Sequence, residues 1–146
     1  MKVEIRTAKP EELSSVQLLL QLVELPIEGI KDHFSDFLIA LSEDLNSLLI
    51  GCVGLECYGV SALLRSLAIH SDFQNRGLGT ALVEAITTQA KKKGIRQLFL
   101  LTDSAEAFFR RFGFKKIKRA QVPYEVKQSI EFTSLCTKAT AMAKNI

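Results

Sequence analysis

The chain has 146 residues, 47% of them hydrophobic and 24% charged, with a formal net charge of +3. This balance excludes a disordered or fibrous polypeptide, and no apolar run reaches the length of a membrane helix. The start, MKVEIRTAKPEEL, lacks the hydrophobic core of a signal peptide, so one soluble domain over 1–146 in the cytoplasm is the expectation.

Cys52, Cys57 and Cys136 are odd in number and lack metal-ligand spacing, so reduced thiols are expected, with no disulfide framework and no metal. Charge is uneven along the chain. Residues 1–73 carry 5 Lys/Arg against 11 Asp/Glu, a net of −6, whereas residues 74–146 carry 14 against 5, a net of +9. The basic half suits an anionic ligand, although each lysine of 91–93 and of 115–118 taken singly reads first as solvated surface. No aromatic residues interleave with these runs in a stacking pattern, so a nucleic-acid partner is not expected.

In chain order, Val3–Arg6 alternates as a half-buried strand. Pro10-Glu11-Glu12 opens a helix whose stripe is Leu13, Val16, Leu20 and Val23. Pro26 ends it, and Ile27 to Phe34 is predicted as a second, short helix. Strands follow at Phe37–Leu41 and Leu48–Glu56, the second containing Gly51 and Gly54, which mark a bulge or a close backbone approach. After the Tyr58-Gly59 turn comes the most apolar strand, Leu63–Ile69, and after a polar turn a helix over 77–93, stopped by Gly94. Gln97–Leu101 reads as a strand buried on both faces. A helix capped by Ser104 runs to Phe112, followed by a strand at Phe114–Lys118 and a helical turn at Pro123–Gln128. The pattern then predicts a last strand over Ile130–Cys136 and a terminal helix over Thr137–Lys144.

The organising stretch is LLRSLAIHSDFQNRGLGTALVEAITTQAKKK. A strand, a turn carrying Gly77 and Gly79, and an amphipathic helix form the local recipe for holding a phosphate. Glycine lets the backbone come close, and a helix N-terminus presents N–H groups and a favourable dipole. Gln74-x-x-Gly77-x-Gly79 has neither the Lys-Ser/Thr of a P-loop nor the spacing of a Rossmann turn.

This pattern resembles the acetyl-CoA pyrophosphate motif of the GNAT superfamily of N-acetyltransferases. Ala105-Glu106-Ala107-Phe108-Phe109-Arg110-Arg111-Phe112-Gly113-Phe114 is similar to the same family's downstream signature, and together the two cover roughly residues 63 to 118. The resemblance implies an α/β (α+β) GNAT fold: a mixed central sheet of six to seven strands, about four flanking helices, and a cofactor cleft where the fourth and fifth strands splay. It implies acetyl-CoA as co-substrate, with Leu67, Ala68 and Ile69 pairing with pantetheine and the main-chain N–H near Ala68 polarising the thioester. The pyrophosphate would lie on the N–H groups of Gln74, Asn75, Arg76, Gly77, Leu78, Gly79 and Thr80. Thr102, Ala105 and Phe108 complete the implied cofactor contacts. The helical pair at the start of the chain would wall the acceptor site.

Two departures matter. Phe109 stands where many members have the tyrosine that protonates the leaving thiolate, and Thr102 stands where an asparagine is usual. The central strand also carries no acid. Glu56 is the first carboxylate to weigh as catalytic base and His70 the second; a strand-end charge and a turn residue are their ordinary alternatives. Tyr58 is a polar lining group or a packed turn aromatic.

Arg65 is a charge inside an apolar strand and needs a partner. Simple alternation puts it on one face with Leu63, Leu67 and Ile69. It is either a fork for a substrate carboxylate or half of a structural pair with an acid such as Glu56. The Leu63–Ile69 stretch, Phe108-Phe109 and the Ser129–Cys136 segment resemble the small GNAT proteins encoded with arsenic-resistance genes. They are also similar to the acetyltransferase domain of N-acetylglutamate synthase. That likeness implies a small-molecule amine bearing a carboxylate as acceptor, with Arg65 and Arg119 as anion partners, and gives no reason to expect the synthase's regulatory domain. A peptide N-terminus as acceptor, a non-catalytic acetyl-CoA-binding module and a homodimer through Ile130–Cys136 remain alternatives.

Overall fold

The computed structural model describes residues Met1–Ile146. One seven-stranded sheet, ordered β1-β2-β3-β4-β5-β7-β6, divides the molecule. Its strands are β1 (Val3–Thr7), β2 (Phe37–Ser42), β3 (Leu48–Tyr58), β4 (Ser61–Ile69), β5 (Gln97–Thr102), β6 (Lys115–Ile117) and β7 (Thr140–Asn145). The helices are α1 (Leu13–Leu22), α2 (Ile30–His33), α3 (Leu78–Lys92), α4 (Glu106–Arg110) and α5 (Tyr124–Lys127). All neighbouring strands pair antiparallel except β4 and β5, which are parallel and joined through α3. The mixed α/β arrangement expected from the sequence is present. No helix is long and apolar enough to cross a membrane.

Both faces of the sheet are covered, which is why β2 is buried at every position. On one face, Leu78, Leu82, Val83, Ile86 and Ala90 of α3 pack with Leu64, Leu98, Leu100 and Phe109. Leu82 and Ile86 are fully buried, each worth about 1.5–3 kcal/mol by transfer alone. On the other face α1, α2 and the turn after it cover β2–β4 through Val16, Leu20, Ile30 and Phe34. A smaller cluster of Leu63, Phe99, Val122, Val126 and Phe132 sits beside it under α5. The interval between these two clusters holds the site.

Four expectations are corrected. The segment read as a strand over Ile130–Cys136 is a π-helical turn, Glu131–Leu135. Ser129 starts it by accepting from the Glu131 N–H through its hydroxyl, and the turn is closed by Cys136 N donating to Glu131 O. The homodimer contact imagined for an apolar strand there has no strand to use. The segment read as a terminal helix is instead β7, inserted between β5 and β6. Its Ala and Lys favour helix, but a two-sided slot in a sheet, with Ala141 and Met142 buried, outweighs a propensity difference of a few tenths of a kcal/mol per residue.

The cap position of α4 is Ala105 rather than Ser104, and the turn before it is held by Thr102 Oγ1, which accepts from Ala105 N at 2.9 Å. In β4 the alternation breaks. Arg65 faces Gly54 and Ala68 faces Cys52, so Ser66 and Leu67 oppose Val53 alone. Ser66 adopts φ +61°, a left-handed conformation that a bulge supplies at a cost. Arg65 therefore shares its face with Leu63 and Ala68, while Leu67 and Ile69 turn toward the α3 core.

Gly54 is the close approach anticipated in β3. A Cβ there would lie 2.2 Å from the Phe37 ring, and Phe37 is fully buried with nowhere to retreat. Gly54→Ala should cost at least about 1–3 kcal/mol, read as a lower urea midpoint with the slope unchanged; an unchanged midpoint would contradict this packing.

Candidate functional site

The parallel pairing of β4 with β5 covers Ser61, Ala62 and Leu63 and stops. Beyond Leu63 the two strands part, and a cleft of about 560 Å³ opens between Leu64–Ile69 and Leu100–Ala105. The ladder shows which backbone groups face it. His70 N donates to Ile50 O at 2.8 Å, so Cys52 and Ala68 form the next hydrogen-bonded pair of the antiparallel register. Ala68 N–H thus points toward β3. Leu67 and Ile69 present their N–H and C=O groups to the gap instead, and Gln74 Nε2 reaches back to Ile69 O at 3.2 Å. The N–H groups near Ala68 that face the gap are thus those one residue to either side.

The cleft continues into a recess of about 770 Å³ around the turn between β4 and α3. Asn75 and Gly77 have positive φ, +63° and +81°. None of the N–H groups from Gln74 to Thr80 finds a backbone acceptor in the protein. That leaves a run of donors at the N-terminus of a 15-residue helix. A Cβ on Gly77 would meet nothing within 4 Å. The glycine is needed for its left-handed backbone, and a side chain there would project into the recess rather than into protein. Phe108 and Ala105 line the opposite wall together with Arg111, whose guanidinium lies 5.3 Å from the Phe108 ring centre. Arg76 stacks at 5.4 Å on Phe73.

These features test the fit of acetyl-CoA. An elongated ligand with amides and an anionic pyrophosphate needs an unpaired strand edge, free N–H groups at a helix start and nearby cations, and all three are contiguous here. No cluster of His, Cys, Asp and Glu has the makings of a metal site.

At the inner end of the cleft is a buried charge cluster. Arg65 is 3% exposed, Glu56 1% and Glu131 6%. Arg65 Nη1 donates to Glu56 Oε2 at 2.7 Å, and Arg65 Nε lies 3.1 Å from Ser66 Oγ and 3.3 Å from Glu131 Oε2. Arg65 Nη2 is buried without a partner. Tyr58 donates its hydroxyl to Glu56 Oε1 at 2.5 Å, and His33 Nε2 lies 3.8 Å from that same oxygen.

The two acids are held differently. Burial pushes Glu56 up, but hydrogen bonds from Tyr58, Arg65 and Ser129, together with the Arg65 charge, outweigh it and hold the carboxyl below its usual range. Burial pushes Glu131 up to about 7, Arg65 pulling it down and Glu56 pushing it up. Burial, then the bond to Glu56, drives the Tyr58 phenol up as well.

The sequence candidates fall into place unevenly. Arg65, Leu67, Ala68, Ile69, Gln74, Thr102 and Ala105 line the cleft, and Asn75, Gly77, Leu78, Gly79, Thr80 and Phe108 line the recess. Glu56, Tyr58 and His70 line neither. Glu56 is spent on the buried pair, and His70 Nδ1 accepts from Asp72 N at 3.1 Å, capping its own turn. Arg119 is withdrawn from the cleft. It holds the carbonyls of Cys136 and Ala139 and stacks on Phe132, so it organises the turn before β7. Sequence reasoning missed Glu131 and Arg111. Glu131 carried a usable signal, since it is a lone acid among apolar residues and, like Arg65, had to have a buried partner.

Comparison with known proteins agrees with this geometry. Residues 33–116 match the acetyltransferase (GNAT) domain, and the chain belongs to that family. An uncharacterized N-acetyltransferase of Chlorobaculum tepidum is 29% identical over 130 residues, covering 84% of this chain and 81% of the relative. An amino-acid acetyltransferase of Aeromonas salmonicida is 35% identical over 82 residues, covering 55% of this chain and 19% of that protein. The chain thus spans about a fifth of the length of the amino-acid acetyltransferases it matches. Two solved structures share the fold. Rv2747 from Mycobacterium tuberculosis, in complex with CoA and NLQ, superposes with a TM-score of 0.82 at 22% identity over 98% of this chain and 99% of that one. N-acetylglutamate synthase from Neisseria gonorrhoeae, complexed with coenzyme A and N-acetyl-glutamate, gives 0.85 at 21% identity over 99% of this chain and 35% of that one.

Removing one member of a buried ion pair strands the other. Glu56→Ala should therefore cost about 3–5 kcal/mol, measured by urea unfolding without ligand; a loss under about 1 kcal/mol would show that Glu131 alone satisfies Arg65. Glu131 gives a pH test. Its folded value lies above the ordinary 4.5, so its contribution to stability is full below 4.5 and is lost as pH rises through about 7. The melting temperature of the wild type relative to Glu131→Gln should fall across that window, and a flat difference would refute the raised value.

Proposed function

We propose that the protein transfers the acetyl group of acetyl-CoA to the amine of a small, carboxylate-bearing acceptor of amino-acid type. Support for the acceptor class rests chiefly on one observation, the buried Arg65 whose Nη2 has no protein partner on the wall of the cleft. A buried, unsatisfied guanidinium nitrogen costs on the order of 1–3 kcal/mol or more. A ligand carboxylate would remove that cost and gain a charge-assisted hydrogen bond. The relatives named as amino-acid acetyltransferases and the neighbour solved with N-acetyl-glutamate are in keeping with it.

Bound acetyl-CoA would supply an activated acyl carbon and a good leaving thiol. The chain supplies the rest. Leu67 and Ile69 offer backbone N–H and C=O groups along the β4 edge, and one of the N–H groups would polarise the thioester carbonyl. Gln74 to Thr80 offer N–H groups to the pyrophosphate, with Arg111 and Arg76 as flanking cations. Phe109 is buried in the core and carries no hydroxyl, so the position where the family usually has an acid supplies none, and the thiolate would leave without it. With a free-thiol pKa near 8.5 this is tolerable. The same lack of an acid favours the second reading, a module that binds acetyl-CoA without turning it over.

The deciding experiment measures thermal shift and CoA release across glutamate, other amino acids, their arsenic- and phosphorus-containing analogues, polyamines and peptide N-termini. A cofactor shift, a further shift from a carboxylate-bearing amine and CoA release are expected. A cofactor shift with no release for any amine would support the binding module, and release only with peptides would move the acceptor to a protein. Gly77→Asp should weaken CoA at least about 10-fold, some 1.4 kcal/mol, by placing a negative charge in the recess while sparing the fold. Arg65→Lys should raise the acceptor KM about 10- to 100-fold with the CoA affinity unchanged, from the loss of one charge-assisted bond. An equal KM would end the anchor assignment.

A further inference from the structure

Carboxylate anchoring at Arg65 leaves open where the acceptor's proton goes. An amino acid enters with an ammonium group, which cannot attack until it has lost a proton. Three acids line the cleft: Glu24, Asp103 and Glu131. Glu24 and Asp103 are exposed to solvent, whereas Glu131 is buried. Cys136 also lines the cleft, but burial pushes its thiol up to about 11, so it stays protonated.

Resting on that reading of the acceptor, we propose that the Glu131 carboxylate receives the acceptor's ammonium group and takes its proton, making Glu131 the catalytic base of the transfer.

The geometry of the guanidinium carries the assignment. Nε and Nη2 form one edge of a planar fork. Nε donates to Ser66 Oγ at 3.1 Å with Glu131 Oε2 beside it at 3.3 Å, and the Nη2 arm is free. An acceptor carboxylate on Nη2 therefore sits beside the Glu131 carboxylate. Two anions on one edge repel, and Glu56, already on Nη1, adds a third negative charge to the cluster. A carboxylate that carries an ammonium on the neighbouring carbon places a positive charge between them and relieves the repulsion. Glu131 is free to take that role, because its only side-chain partner is Arg65 Nε. Glu56 is not, since Tyr58 and Arg65 already donate to its two oxygens.

The charged and titratable groups facing Glu131 are Arg65 from β4, Glu56 from β3 and Cys136 from its own segment. With burial they bring it to about 7, where a base is half-charged near neutrality and strong enough to matter. In the step itself one proton passes from the acceptor nitrogen to a Glu131 oxygen. The nitrogen keeps the electron pair and forms the C–N bond to the acetyl carbon. The C–S bond breaks with its pair going to sulfur, which leaves as the thiol on taking a second proton from nitrogen. Glu131 then returns its proton to solvent.

The test compares wild type and Glu131→Gln, both saturated with CoA, by calorimetric titration with glutamate and with glutarate, which differs only in lacking the amine. For the wild type, glutarate affinity should fall about 10-fold per pH unit above 7, because binding requires a protonated Glu131. Glutamate affinity should change little over that range. Glu131→Gln should bind glutarate more tightly than wild type at pH 8 and without pH dependence, a gain that misfolding cannot produce. With acetyl-CoA, the same variant should lose on the order of 10²- to 10⁴-fold in kcat/KM for glutamate at pH 7, the deficit shrinking as pH approaches the amine's own pKa. Glutarate binding with one pH profile in both proteins, or kcat/KM within about 3-fold and equally pH-dependent, would overturn the base while leaving the carboxylate anchor standing. Failure of wild type and Arg65→Lys alike to distinguish glutamate and glutarate from buffer would overturn the anchor itself.

Discussion

Beyond Leu63, β4 has a hydrogen-bonding neighbour on one edge only, and most of what the protein can do follows from that. A central strand with a bare edge is costly in a folded core, where buried N–H and C=O groups are almost always paired. The fold sustains it in two ways. β7 takes the far edge of β5 for all six of its residues, so β5 does not need β4 to stay in the sheet. The bulge at Ser66 and Leu67 turns β4 as it leaves, with Cys52 Sγ meeting the stranded Ser66 carbonyl at 3.2 Å. The open edge therefore faces a cleft and can be completed by a ligand that presents its own amides.

The second constraint is electrostatic. Arg65 lies between two apolar clusters, and neither would tolerate it alone. Two acids answer it, and their surroundings separate their roles. Glu56 has a donor on each oxygen, Tyr58 and Arg65, and is held ionised, which makes it a structural counter-charge. Glu131 has one partner at 3.3 Å and is left near neutrality. Two like groups on one cation, one fully satisfied and one not, is a general way for a site to keep one carboxylate fixed and the other available.

Local chemistry was legible in the sequence wherever it determines structure by itself. The strand, glycine turn and helix from Leu63 to Lys93 could be read because glycine, apolar period and helix start all agree there, and the recess lies where they place it. Gly54 was readable as a close approach, though not the Phe37 ring it makes room for. The segments after Ser129 were not legible. Ile130, Phe132 and Leu135 read as strand, and Thr137 to Lys144 as helix, because propensity knows nothing of the slot between β5 and β6 or of the buried arginine that draws Glu131 inward. The face of Arg65 was misassigned for a related reason, since a single extra residue in a bulge reverses the alternation of everything after it. Glu56 looked like a base because the linear sequence shows an acid near the cleft without showing the Tyr58 and Arg65 donors that occupy it.

The bulge and the charge cluster are joined by one residue. The left-handed backbone of Ser66 diverts β4 and so helps to open the edge a cofactor would use, and its hydroxyl lies 3.1 Å from Arg65 Nε, on the edge of the guanidinium that also faces Glu131. An alanine at this position would keep the bulge's backbone requirement and lose the hold on the fork; a glycine would ease the backbone and lose the hold as well. The strain at Ser66 is thus better understood as the meeting point of two demands than as a defect in β4. The open edge needs the strand to bend there, and the buried guanidinium needs a short polar side chain at the bend. Serine satisfies both, which places the cleft and the charge cluster in fixed register with each other.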